Sequence, residues 1–166
     1  MENSLSAGES TASSLSEVSA YRVILVGGLI AGILDITSAF INSALHHGRN
    51  PIGILQGIAS ALLGAKSFSG GLATAAFGLG LHFLIATVAC AVFYAASRKF
   101  TFLVRQAIVC GALYGIVVYL FMYYVVLPIA FSRGPSYTLE QIVTAVIIHM
   151  VCVGLPISLT VRWYSK

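Results

Sequence analysis

At 166 residues the chain suits a single domain, and with 58% hydrophobic against 8% charged residues it lies outside the soluble globular range. Its net charge of +4 is spread over loops and termini without a dense basic run, which excludes a nucleic-acid-binding surface. Cys90, Cys110 and Cys152 are far apart and set in apolar stretches, so they read as buried small hydrophobes rather than as a disulfide framework or a zinc site.

Residues 1–20 hold seven Ser and three Glu with no aromatic and no basic residue, a composition that predicts a disordered tail. The apolar run that follows continues past Asp35, too long for the core of a cleaved signal, and the acidic tail is the reverse of an Arg-rich transit segment. Four stretches, at about 22–45, 71–97, 107–131 and 139–162, reach the ~20 residues that a helix needs to cross a ~30 Å hydrocarbon layer. Breakers separate them at HHGRNP (46–51), SRKF (97–100) and SRGP (132–135). The expected fold is all-α, a four-helix transmembrane bundle forming one domain over 21–166.

Between the first two spans, 51–63 is apolar but only about 20 Å long as a helix, too short to cross. Asn50 suits an N-cap, Pro51 the first helical position and Gly64 the helix end. The segment has no charged face; Gln56 and Ser60 are its only polar side chains. It is therefore expected to re-enter or pack on the bundle rather than lie in the headgroups.

With four spans, Arg22, Arg98, Lys99, Arg105, Arg162 and Lys166 share one side and Arg49, Lys66 and Arg133 the other, six against three. The positive-inside rule then places both termini and the middle loop in the cytoplasm, with Trp163 and Tyr164 as interfacial residues on that face. Pairs of small residues four apart, Gly28 and Gly32, Gly71 and Ala75, Gly111 and Gly115, read as seams for close helix packing.

The segments GGLIAGILDITSAFI (27–41), ILQGIASALLG (54–64), GGLATAAFGLGLHFLIA (70–86), GALYGIVVYLFMYYVVLPI (111–129) and IIHMVCVGLPISL (147–159) resemble a group of small bacterial four-span membrane proteins that have no assigned activity. The resemblance covers nearly everything after the tail. It implies a bacterial inner membrane and brings no catalytic residue with it.

Polar residues inside the spans are the candidates for function, because an intramembrane charge costs about 2.5–3.5 kcal/mol on insertion scales. Asp35 in the first span, His82 in the second and His149 in the fourth count to one depth. Each lies on a stripe with small residues: Gly27, Ala31 and Asp35; Ala75, Gly78 and His82; Ala145, His149 and Cys152. They are expected to meet as an intramembrane polar cluster able to relay protons or to lock the bundle. An Asp with two His could also hold a divalent metal, but three ligands without a recognised spacing motif are weak evidence for one, and no metal or cofactor is expected. Gln56, Tyr119 and Met122 are candidates to line a cavity beside the cluster. His46 and His47 suit the helix C-terminus at which they stand, and Pro128 and Pro156 sit near the distal ends of their spans, where a lost backbone bond is easily re-satisfied or produces a kink. No nucleophile elbow, H-E-x-x-H, P-loop or dinucleotide motif is present, which leaves an enzyme the weaker reading. Two readings stand level: small proton-linked transport or permeation, which four spans would require to be oligomeric, and a structural or accessory membrane subunit. The partners implied are the lipid bilayer and a second copy or another membrane subunit.

Overall fold

The computed structural model describes the backbone of residues 2–46, 48, 50–130 and 138–165, and within these ranges it describes the surroundings of side chains from 20 to 128 and from 138 to 165. Every regular element among the described residues is helical, with no strand. Helix α1 runs Glu2–His46, α2 Pro51–Leu63, α3 Gly71–Lys99, α4 Phe102–Arg105, α5 Ala107–Phe121, α6 Leu127–Ala130, α7 Leu139–Ile148 and α8 Leu155–Tyr164. Two π-helical segments, Met122–Val126 and His149–Gly154, join α5 to α6 and α7 to α8. The breakers at His47, Arg49 and 132–135 lie outside the described residues.

In two places the helices are longer than the sequence reading. Helix α1 begins at Glu2, where composition points to disorder: a helix already nucleated in the span adds residues without a second nucleation cost. Helix α2 starts as expected, with Asn50 Oδ1 accepting the Gly53 N–H at 2.7 Å and Pro51 in the first turn. Beyond Gly64, at φ 62°, the chain winds on as a 3₁₀ helix, Gly64–Ser69, before Gly71 at φ 59° turns it into α3. Pro51–Ser69 thereby becomes the fifth segment long and apolar enough to cross a membrane by length and composition.

Helix directions follow from the side chains that meet. Along α1, Cys90 Sγ lies 3.8 Å from Val23 O, Gly28 packs on Thr87 and Gly32 on Phe83, so α1 and α3 are antiparallel. Gly27 packs on Thr160, and Ser38 Oγ lies 3.1 Å from Cys152 Sγ, so α1 is antiparallel to the α7–α8 helix as well. Gly111 meets Ser158 and Gly115 meets Met150, so α5 also runs against that helix. From α5, the Tyr114 hydroxyl donates to Ala89 O at 2.7 Å and its ring packs on Phe93, which ties α5 to α3. The core these contacts enclose comprises Val23, Ala31, Cys90, Phe93, Val153, Ile157 and Val161. Leu25, Leu29, Val88, Val92, Ile108, Val117 and Val151 face outward and exposed. Such apolar outer faces suit lipid as the surrounding solvent.

Because α1 and α3 are antiparallel, the end of α1 and the start of α3 lie at the same end of the pair. The α2 and 3₁₀ segment between them leaves and returns at that end. It packs there: Gly78 of α3 lies against the Leu55 and Ala59 backbone, and α2 also meets α6.

Each π-helical segment lies just before a proline, Pro128 or Pro156. Proline lacks an N–H and its ring crowds the carbonyl four residues back, here Tyr124 or Cys152, both inside the wider turn. A local π turn relieves the clash without breaking the helix.

Gly111, Gly115 and Gly154 form a close crossing, and a methyl group at Gly154 would fall on the backbone of Gly111 and Gly115. Gly154→Ala is therefore expected to destabilise the protein by about 1–3 kcal/mol in reversible unfolding in detergent micelles. Gly80→Ala, at a helical glycine with open space around it, should leave stability unchanged or raise it by up to about 1 kcal/mol.

Candidate functional site

His82 is half-buried on α3, with Nε2 2.9 Å from Gly32 O on α1. A carbonyl only accepts, so the imidazole donates from Nε2 and leaves Nδ1 without a proton when the ring is neutral. Gly32 makes the approach feasible: with no side chain, it lets the Phe83 ring, edge-on to His82 at 5.6 Å, lie flush against α1.

His149 opens the second π-helical segment, and its Nδ1 donates to Ala145 O, one turn back, at 2.8 Å. Its ring stands edge-on to Tyr119, 5.5 Å between centroids, and Tyr119 stacks on Tyr123 at 5.9 Å. Each ring is thus anchored by a backbone carbonyl, His82 through Nε2 and His149 through Nδ1.

Asp35 is half-buried and, among the described residues, has no side-chain hydrogen bond or ion pair. It follows Gly32 by one helical turn, so it stands on the same side of α1 as the His82 attachment. No hydrogen bond joins any two of Asp35, His82 and His149. Among the described residues no group of three His, Cys, Asp or Glu side chains is placed to hold a metal ion.

Of the three expected cavity-lining residues, Gln56 is committed elsewhere. Its amide donates to Gly71 O at 3.0 Å and reaches Thr74 Oγ1 at 3.5 Å, and Thr74 Oγ1 donates in turn to Ser67 O at 2.6 Å. Together these bonds fasten α2 and the 3₁₀ turn to the start of α3. Tyr119 is buried between its aromatic neighbours, and Met122 is half-buried at the first position of the other π-helical segment. His46 Nδ1 donates to Asn42 O at 3.1 Å in the last turn of α1, and His47 lies outside the described residues.

Sequence reasoning passed over Tyr114, Gly154 and the Ser38–Cys152 contact. Gly154 carried a signal, since GLPIS sets Gly154 and Ser158 four apart to face Gly111 and Gly115. Tyr114 carried none beyond a polar-tipped ring in the middle of a span. The hydroxyls of Ser43 and Ser67 are buried without a partner among the described residues.

Comparison with protein-family models, curated proteins and solved structures finds no match to this chain. What can be said plainly is that it is an all-helical protein with several long apolar helices, compatible with embedding in a membrane.

Separate anchoring of the two histidines has a measurable consequence. His82→Phe and His149→Phe each remove one hydrogen bond while keeping a ring, at about 0.6 kcal/mol apiece, the average for hydrogen bonds within membranes. The double variant should be additive to within about 0.5 kcal/mol. A larger coupling in the same unfolding assay would mean that the two side chains belong to one unit.

Proposed function

We propose that this chain is a four-span structural or accessory protein of a bacterial cytoplasmic membrane, with both termini inside, whose intramembrane polar side chains hold its helices together. The observation that carries this reading is that the polar groups best placed for chemistry are committed to backbone carbonyls: His82 to Gly32, His149 to Ala145, Gln56 to Gly71 and Tyr114 to Ala89. A transport path needs polar groups that can exchange partners with solvent, whereas these act as fasteners between or along helices.

The span count is supported by the antiparallel contacts of α1 and α3, which require the segment between them to cross an even number of times. A segment 51–69 that returns to its own side satisfies this, and its polar bonds to Gly71 and Thr74 anchor it there. The cytoplasmic placement of the termini rests on the six cations at that end against three opposite. The bacterial membrane rests on the resemblance to small four-span proteins. An accessory role implies a partner within the bilayer, either a second copy or another membrane subunit.

One observation favours the rival reading of proton-linked permeation. Asp35 is half-buried in an apolar helix and, among the described residues, has no partner of its own, and an ionisable side chain placed inside a span marks an ion pathway by default.

Proton flux into liposomes containing the purified protein separates the two. The accessory reading expects flux no greater than in protein-free liposomes, for wild type and Asp35→Asn alike. Flux in the wild type that Asp35→Asn abolishes would establish permeation instead.

A further inference from the structure

The up-and-down packing collects five cations at one end of the bundle: Arg22 near the start of the first span, Arg98 and Lys99 closing α3, Arg105 closing α4 and Arg162 near the end of α8. Four are exposed and Arg162 is half-buried, and none of the five has an ion pair or side-chain hydrogen bond among the described residues. Aromatic rings share the same end. Phe100 and Phe102 are each 54% exposed, Trp163 is 75% exposed, and Tyr21 and Tyr164 are exposed too.

Helix α4 holds part of this surface in place. Leu103 and Val104 pack against the bundle core, which leaves Phe102 and Arg105 exposed at the end of the bundle where Arg98 and Lys99 close α3. The result is a cation shelf with apolar rings at the ends of the long apolar helices, where hydrocarbon gives way to headgroups when such helices cross a bilayer.

We propose that this end is a binding surface for anionic phospholipid headgroups, with the phosphate held by Arg98, Lys99 and Arg105 and the acyl chains lying along the exposed apolar faces above. Arginine suits the task because its planar guanidinium pairs two donors with two phosphate oxygens. The aromatic rings fix the depth at which the cations meet the headgroups. A zwitterionic lipid offers the same phosphate but no net charge, so it draws less from the shelf. The inference needs only that the chain is embedded in a membrane, and it holds whether the bundle is accessory or permeation-linked.

The test uses the full-length protein in detergent, given equal amounts of phosphatidylglycerol and phosphatidylcholine, with retained lipid counted by native mass spectrometry. Wild type should retain phosphatidylglycerol in several-fold excess at low salt, and the excess should shrink as salt rises. Each cation removed should lower the preference by up to about fivefold, so Arg98→Gln, Lys99→Gln and Arg105→Gln combined should erase it. Arg98→Lys with Arg105→Lys should keep most of it, and Lys66→Gln, at the opposite end, should keep it all. If the triple variant does not fold, Arg105→Gln alone reads a single step. Equal retention of the two lipids by wild type, a preference that survives the Gln substitutions in folded protein, or one that follows Lys66 would overturn the proposal.

Discussion

Lipid tails are as apolar as leucine, so helices in hydrocarbon gain little from hiding apolar side chains from one another. What holds them is backbone approaching backbone closely enough for dispersion contacts and for side-chain donors to reach a neighbour's carbonyl. Both devices occur together here, and glycine permits both. Gly27, Gly28 and Gly32 bring α1 against Cys90, Thr87 and Phe83, and at Gly32 the exposed carbonyl receives His82. Gly111, Gly115 and Gly154 do the same for α5 and the last span.

This constraint reaches the candidate site directly. A polar side chain inside a bundle needs a partner, and with few polar side chains available the nearest acceptors are carbonyls laid bare by glycine or loosened by a π turn. His82 uses the first kind, and His149 stands where the helix widens ahead of Pro156. Each ring is held in place by that one bond. Asp35 differs in having no such bond, and Ser43 and Ser67 have buried hydroxyls without partners, among the described residues.

Much of the architecture was legible from the residues. The apolar runs locate the long helices, Asn50–Pro51 announces α2, the small-residue pairs at Gly28 and Gly111 mark packing seams, and Pro128 and Pro156 mark the places where helix geometry changes. The misses have physical causes. Gly64 reads as a stop, yet a residue at positive φ can also lead into a 3₁₀ turn, which lengthens the segment beyond its helical part. Partners within the site were not legible, because whether His82 meets Asp35 or the Gly32 carbonyl one turn away depends on the register between two helices. Counting residues from the span ends does not fix register to within one turn. Gln56 illustrates the same limit, since its bond to Gly71 exists only because the chain doubles back at the 3₁₀ turn.

Antiparallel α1 and α3 place the two ends of the 51–69 segment at one end of the pair, so in a membrane it should return to the side it left. The direct measurement is labelling by a membrane-impermeant thiol reagent, applied to one face of oriented vesicles, in a background with Cys90, Cys110 and Cys152 replaced by Ala. Leu45→Cys at the end of α1 and Ser69→Cys just before α3 should react from the same face, and Lys99→Cys from the opposite one. Reaction of Leu45→Cys and Ser69→Cys from opposite faces would mean that 51–69 crosses the membrane, and would contradict the account.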